Sequence, residues 1–125
     1  MLSIRMRAIR RLWSDVSKAD VEKFIKATAK SGSRGSLIDV RRRAEIAAHG
    51  AIPTAINVPL DELERHLDGI DERERDKEMI FYCLAGVRSQ KAVDLARAKG
   101  FNNCHNYKGS YEDWFKKTYD SAKFR

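Results

Sequence analysis

Cys83 is followed after four residues by Arg88 and then Ser89, in the run Cys83-Leu84-Ala85-Gly86-Val87-Arg88-Ser89. A thiol, a glycine, an arginine and a hydroxyl at this spacing point to nucleophilic chemistry at sulfur. A free cysteine has a pKa of about 8.5, and a helix N-terminus or a nearby arginine lowers it. The thiolate is the nucleophile, so such a setting yields a reactive sulfur near neutral pH. A loop curling over the sulfur would turn the amides of Leu84 to Arg88 inward, as a nest for an anionic substrate or a persulfide anion. Gly86 relieves the curl of a side chain. The plain alternative is a strand-end cysteine acting as a small buried hydrophobe. Loop length, glycine, arginine and helix start together favour the reactive reading.

The flanking elements must position this loop. Met79 to Tyr82 is short, apolar and aromatic, and follows a run of charges, which predicts a buried strand. Ser89 to Lys99 carries Ala92, Val93, Leu95 and Ala96 at helical spacing, and Gly100 suits a helix end. Cys83 therefore falls where a strand becomes a helix, the end of an open α/β sheet where ligands bind.

Upstream, Ser17-Lys18-Ala19-Asp20 fits a capping box with Asp for Glu, and Val21, Phe24, Ile25 and Thr28 continue a helix to about Lys30. A loop, Ser31 to Gly35, leads to a predicted strand over Ser36 to Val40. Ala44 to His49 predicts a short helix stopped by Gly50. Pro53 and Pro59 bracket Ile56 to Val58, leaving space for a short edge strand. Leu60, Leu63 and Leu67 mark a further helix with Asp61, Glu62 and Glu64 early in it. The charge run Asp71 to Glu78 reads as a solvated loop or helix end. Phe101 to Tyr107 is the last predicted strand. Tyr111, Trp114, Phe115 and Tyr119 give a C-terminal helix an apolar face. The alternation predicts an α/β domain with a mainly parallel sheet of about five strands and helices on both faces.

The run from Cys83 to Ser89 resembles the active-site loop of rhodanese-type sulfurtransferases. Asp39-Val40-Arg41 resembles the family's opening strand motif, Gly50 to Pro59 its second signature, and Lys108 to Trp114 its closing motif, with Ser110 in place of the second glycine. Ala51 and Thr54 replace a more usual histidine and glycine. The resemblance covers about Ser17 to Trp114 and implies a rhodanese-like fold. It also implies a thiosulfate sulfurtransferase that moves sulfane sulfur through a Cys83 persulfide to cyanide, glutathione or a protein thiol, with no cofactor and no metal. Cys83 is the implied catalytic residue. Leu84, Ala85, Gly86, Val87, Arg88, Ser89 and Arg41 are the candidates for substrate binding. Arg88 either serves the donor or pins the loop. Leu84 stands where many thiosulfate-using members carry a basic residue. For Arg41 a place at the pocket mouth competes with an ordinary solvated arginine, the latter slightly preferred. Asp39 is expected to make a structural hydrogen bond or ion pair near the loop. Phosphatases and arsenate reductases of the same fold have one more loop residue; a persulfide carrier or regulatory module would share this loop.

Composition limits the alternatives. The chain has 125 residues, 42% hydrophobic and 34% charged, enough for one core. No apolar run approaches the roughly 18 residues that span a bilayer, so no membrane partner is expected. Two cysteines make no disulfide framework, which points to an intracellular, mitochondrial or cytoplasmic, setting. Cys104 reads as a buried hydrophobe, with a redox partner of Cys83 as the alternative. The net charge of +7 suits a small anionic donor, and no nucleic-acid module is recognisable. The three histidines show no metal-site spacing. Residues 1–16 form a basic extension; Arg5, Arg7, Arg10 and Arg11, with Leu2, Met6, Ile9 and Trp13 on one helical face, read equally as a presequence-type targeting segment or an ordinary extension. The domain is expected over 17–120, a frayed tail over 121–125, and the chain as a monomer.

Overall fold

The computed structural model describes residues 15–31 and 35–116. The readings for the basic segment before Asp15, for Tyr119 and for the tail lie outside the described residues.

The first helix, α1 (Lys18–Ser31), opens on the expected box: the Ser17 hydroxyl accepts from the Asp20 amide at 3.2 Å, and the Asp20 carboxylate accepts from the Ser17 amide at 2.9 Å. Then follow β1 (Gly35–Asp39), α2 (Arg43–His49), β2 (Ile56–Asn57), α3 (Leu60–Asp68), a single 3-10 turn (Glu72–Glu74), β3 (Glu78–Tyr82), α4 (Val87–Ala98), β4 (Cys104–Asn106) and α5 (Ser110–Phe115). The strands form one parallel sheet in the order β2-β1-β3-β4. Beyond β4, Val16 makes an isolated parallel bridge to Tyr107. The sheet is thus four strands and a bridge among the described residues, close to the expected five. The last strand is shorter than predicted because Phe101, Asn102 and Asn103 lead into it outside the ladder.

Each central strand is covered on both faces, which is why β1 and β3 read as continuous apolar runs rather than alternating ones. Successive side chains still part to opposite sides. Ile38, Val40, Met79, Phe81 and Cys83 pack with Leu63 and Leu67 of α3 and with Ala92, Val93 and Ala96 of α4. Leu37, Ile80 and Tyr82 pack on the other side with Val21 of α1, Tyr107 and Tyr111.

Register brings the site together. Asp39 pairs with Tyr82, and the Val40 amide donates to the Tyr82 carbonyl at 3.0 Å, so Val40 and Arg41 run beside Cys83. On the other flank Phe81 pairs with Asn106, and the Tyr107 amide donates to the Phe81 carbonyl at 2.9 Å. Parallel strands end on one side, so Arg41, Cys83 and Ser110 all emerge at the same edge of the sheet.

Candidate active site

Cys83 is the first residue after β3, and the chain turns over its sulfur into α4. The Gly86 amide donates to Sγ at 3.1 Å, and the Ser89 hydroxyl lies 3.4 Å from it. The residue is only 1% exposed. Burial pushes the thiol up. Hydrogen bonds from the Ser89 hydroxyl and from the amides of Ser89, Gly86 and Ala85 outweigh that and hold it below the ordinary cysteine value. The arrangement is an anion site shaped around one sulfur.

The curl depends on Gly86. Its φ is +96°, and an added Cβ would lie 2.4 Å from the Lys108 carbonyl oxygen. Both the left-handed backbone and the close approach exclude a side chain. Helix α4 begins at Val87, two residues earlier than its periodicity predicts, because the glycine already serves as its N-cap. Across the turn, Cys83 and Leu84 are bonded to the start of α5: the Tyr111 and Glu112 amides donate to their carbonyls at 3.0 and 3.1 Å, and the Cys83 amide donates to the Ser110 hydroxyl at 3.1 Å.

The remaining candidates fall into distinct positions. Leu84 is buried among Tyr82, Tyr111 and Ile52, so its side chain packs the core and only its backbone belongs to the loop. Ala85 is half-buried, and Val87 projects outward, 62% exposed. Ser89 is buried against the sulfur. Arg88 reaches back to α2, where it forms a two-point ion pair with Glu45, Nη1 to Oε1 at 2.6 Å and Nη2 to Oε2 at 2.9 Å. The Arg42 amide adds a third bond to Glu45, at 3.0 Å. Burial would raise the Glu45 carboxyl; the Arg88 and Arg42 bonds and the charge of Arg41 outweigh it and hold the carboxyl below its ordinary value.

Arg41 is not the solvated side chain preferred from sequence, nor does it stand at an open mouth. It is 1% exposed. It forks onto Asp39 (Nη2 to Oδ2 2.7 Å, Nε to Oδ1 3.0 Å) and donates to the Gly50 carbonyl at 2.7 Å. Its guanidinium lies 4.2 Å from the Tyr111 ring centroid. The reason is the neighbouring carboxylate: a buried Asp39 needs a cation, and the arginine two residues on is within reach. The Tyr111 hydroxyl donates to the His49 carbonyl, so Arg41 and Tyr111 together tie down the end of α2.

Glu45, Ser110 and Tyr111 are the residues that sequence reasoning missed as parts of this site. Glu45 carried a faint signal, an acid at the third position of a helix beginning next to Arg42. Its partner lies 43 residues away, which no local pattern reveals. Cys104, the other cysteine, is also a free thiol. It is buried, donates to the Phe101 carbonyl at 3.1 Å and is pushed up to about 12 by burial, with Arg97 pulling the other way. Among the described residues no group of three or more His, Cys, Asp or Glu is arranged to hold a metal ion, and no helix is long and apolar enough to cross a membrane.

A parallel sheet ending in a cysteine loop that folds back into a helix defines a known class, and residues 19–117 match the family model for the rhodanese-like domain. The chain belongs to that family. It is similar to the mouse thiosulfate sulfurtransferase/rhodanese-like domain-containing protein 3, 42% identical over an alignment of 88 residues that covers 62% of this chain and 56% of the mouse protein. It therefore spans little more than half the length of that relative. The human thiosulfate:glutathione sulfurtransferase is 37% identical over 98 residues, 70% of this chain and 84% of the human one. Among solved structures, the human single-domain sulfurtransferase TSTD1 superposes with a TM-score of 0.66 at 34% identity, covering 84% of this chain and 97% of that one.

Proposed function

We propose that this protein is a thiosulfate sulfurtransferase with Cys83 as its nucleophile. The observation that carries the reading is the Cys83 sulfur itself, bonded by the Gly86 amide at 3.1 Å and the Ser89 hydroxyl at 3.4 Å and depressed below an ordinary thiol despite its burial. The names of the related proteins support the same reading.

The Cys83 thiolate attacks the outer, sulfane sulfur of thiosulfate. A new S–S bond forms as the old one breaks, and its electron pair leaves with sulfite. Cys83 is left as a persulfide whose negative charge sits on the terminal sulfur. The loop amides meet that charge without reorganising, as donors do in an oxyanion hole. An acceptor then attacks the terminal sulfur: cyanide leaves as thiocyanate, or a thiolate such as glutathione or a protein thiol leaves as a persulfide. The Cys83 thiolate is regenerated. The loop amides and Ser89 are the substrate-side groups; Arg88, held by Glu45, pins the loop end. No cofactor or metal takes part, and an intracellular compartment, mitochondrial or cytoplasmic, suits a free thiolate.

The test is intact mass after incubation with thiosulfate, for the wild type and Cys83→Ser. A gain of one sulfur atom on the wild type alone, reversed by cyanide or glutathione, is expected; no gain from thiosulfate or mercaptopyruvate overturns the reading. One observation favours a second reading. With Arg88 engaged by Glu45, the loop offers less to a free dianion than an unpaired arginine would. A persulfide carrier loaded by a partner protein would then accept sulfur from a protein persulfide and not from thiosulfate.

A further inference from the structure

Ser110 sits in a backbone conformation that its side chain disfavours. Its φ is +59°, in the left-handed region where Cβ crowds the following carbonyl and glycine is at ease. The side chain is fully buried. Strain of this kind persists when the surroundings over-determine it, and it gathers at functional sites.

What the strained residue contributes is its hydroxyl. The Tyr111 and Glu112 amide bonds to the Cys83 and Leu84 carbonyls are backbone bonds, which a glycine at 110 would keep without strain. The hydroxyl alone adds two things. It accepts the Cys83 amide at 3.1 Å while donating to the Tyr107 carbonyl at 2.8 Å, and it stands 4.0 Å from Cys83 Sγ. A hydroxyl has one proton and two lone pairs. Rotation about Cβ–Oγ can turn the proton from the Tyr107 carbonyl to the sulfur while a lone pair keeps the Cys83 amide. Two buried hydroxyls, Ser89 and Ser110, then flank one sulfur.

We infer that Ser110 is a positioning residue for the Cys83 nucleophile, fixing the Cys83 amide and bringing a second hydroxyl to the sulfur when it is charged. This rests on Cys83 being the reactive group; it does not depend on which donor brings the sulfur.

The experiment is the pH dependence of Cys83 alkylation by iodoacetamide, read by peptide mass, in the wild type, Ser110→Ala and Ser110→Gly, with thermal melts of each. Alanine removes the hydroxyl and keeps the strained backbone; glycine removes the hydroxyl and the strain together. The alkylation midpoint rises in both variants by about half a pH unit or more, a roughly threefold loss of thiolate below the midpoint. Their stabilities differ, glycine the higher of the two. Unchanged midpoints in both variants beside a depressed wild type overturn the role of Ser110 alone. So does a wild-type midpoint in Ser110→Gly with a shift only in Ser110→Ala, which would make the backbone the cause. A wild-type protein with an ordinary thiol midpoint overturns this inference and the reactive reading of Cys83 together.

Discussion

Arg88 and Glu45 lock the far end of the cysteine loop to helix α2. Both nitrogens of the fork are engaged, at 2.6 and 2.9 Å, and the carboxylate is 1% exposed against 17% for the guanidinium. Glu45→Ala leaves a half-buried arginine without its counter-charge, at a cost of about 3 kcal/mol, and loosens the loop amides from Cys83. Sulfur transfer is expected to fall on the order of tenfold, about 1.4 kcal/mol in the barrier. A melt and a steady-state assay check this; wild-type values for both would remove the pair from the site.

The same pair predicts an acid dependence. The folded-state carboxyl of Glu45 is held below its ordinary value. Its contribution is therefore fully present above the ordinary carboxylate range and is lost as pH falls through the depressed value. The stability gap between the wild type and Glu45→Gln should narrow towards low pH. Denaturant midpoints measured down the acid range test it, and a gap of constant size would contradict the assignment.

Cys83 titrates in the same sense, its functional form again being the anion. Its depressed thiol means that the thiolate, and with it the alkylation and transfer rates, rises with pH through a midpoint below the ordinary cysteine value and then levels off. Ser89→Ala removes the hydroxyl at 3.4 Å and should move that midpoint upward by about one unit, equivalent to about 1.4 kcal/mol. Cys83→Ser should abolish transfer with a change in stability within about 1 kcal/mol. A pH–rate profile for the three proteins separates these outcomes.

Cys104 should behave as packing. Burial keeps it a thiol through the neutral and mildly alkaline range. Cys104→Ser places a hydroxyl where the Phe101 carbonyl can accept it, costing about 1–2 kcal/mol and leaving turnover as it was. A large loss of transfer at retained stability would revive the redox pairing with Cys83.

Gly86→Ala tests the loop's curvature. With φ at +96° and the Lys108 carbonyl oxygen 2.4 Å from the new Cβ, the loop must shift. About 1–3 kcal/mol of strain is expected, with the amide drawn away from the sulfur and transfer lost in proportion. Full activity in this variant would show that the amide at 3.1 Å is not needed.

How much of this is legible in the sequence follows from how local each interaction is. The strand, loop and helix around Cys83 are carried by neighbours in the chain: an apolar run, a glycine and a helical face. So is the capping box at Ser17. Arg41 and Glu45 are different. Their environments depend on residues distant in the chain, Tyr111 beside Arg41 and Arg88 beside Glu45, and a run of three arginines at 41–43 reads as solvent-facing until the buried Asp39 is seen to hold Arg41. Ser110 is visible only as a departure from a glycine-glycine pattern. Its hydroxyl acquires meaning once β4 has delivered it beneath Cys83.

The bonds that complete the cysteine's surroundings come from the end of the domain. Cys83 precedes Ser110 by 27 residues, and Tyr111 and Glu112 follow it. On a ribosome adding about 5–20 residues per second, the thiol and its loop are made before these three anchoring residues. A nascent chain stalled ahead of Ser110 already holds Ala85, Gly86 and Ser89, but leaves the Cys83 amide and the Cys83 and Leu84 carbonyls without these partners. The last contacts around Cys83 are therefore made only when the end of the domain has been synthesised and docked.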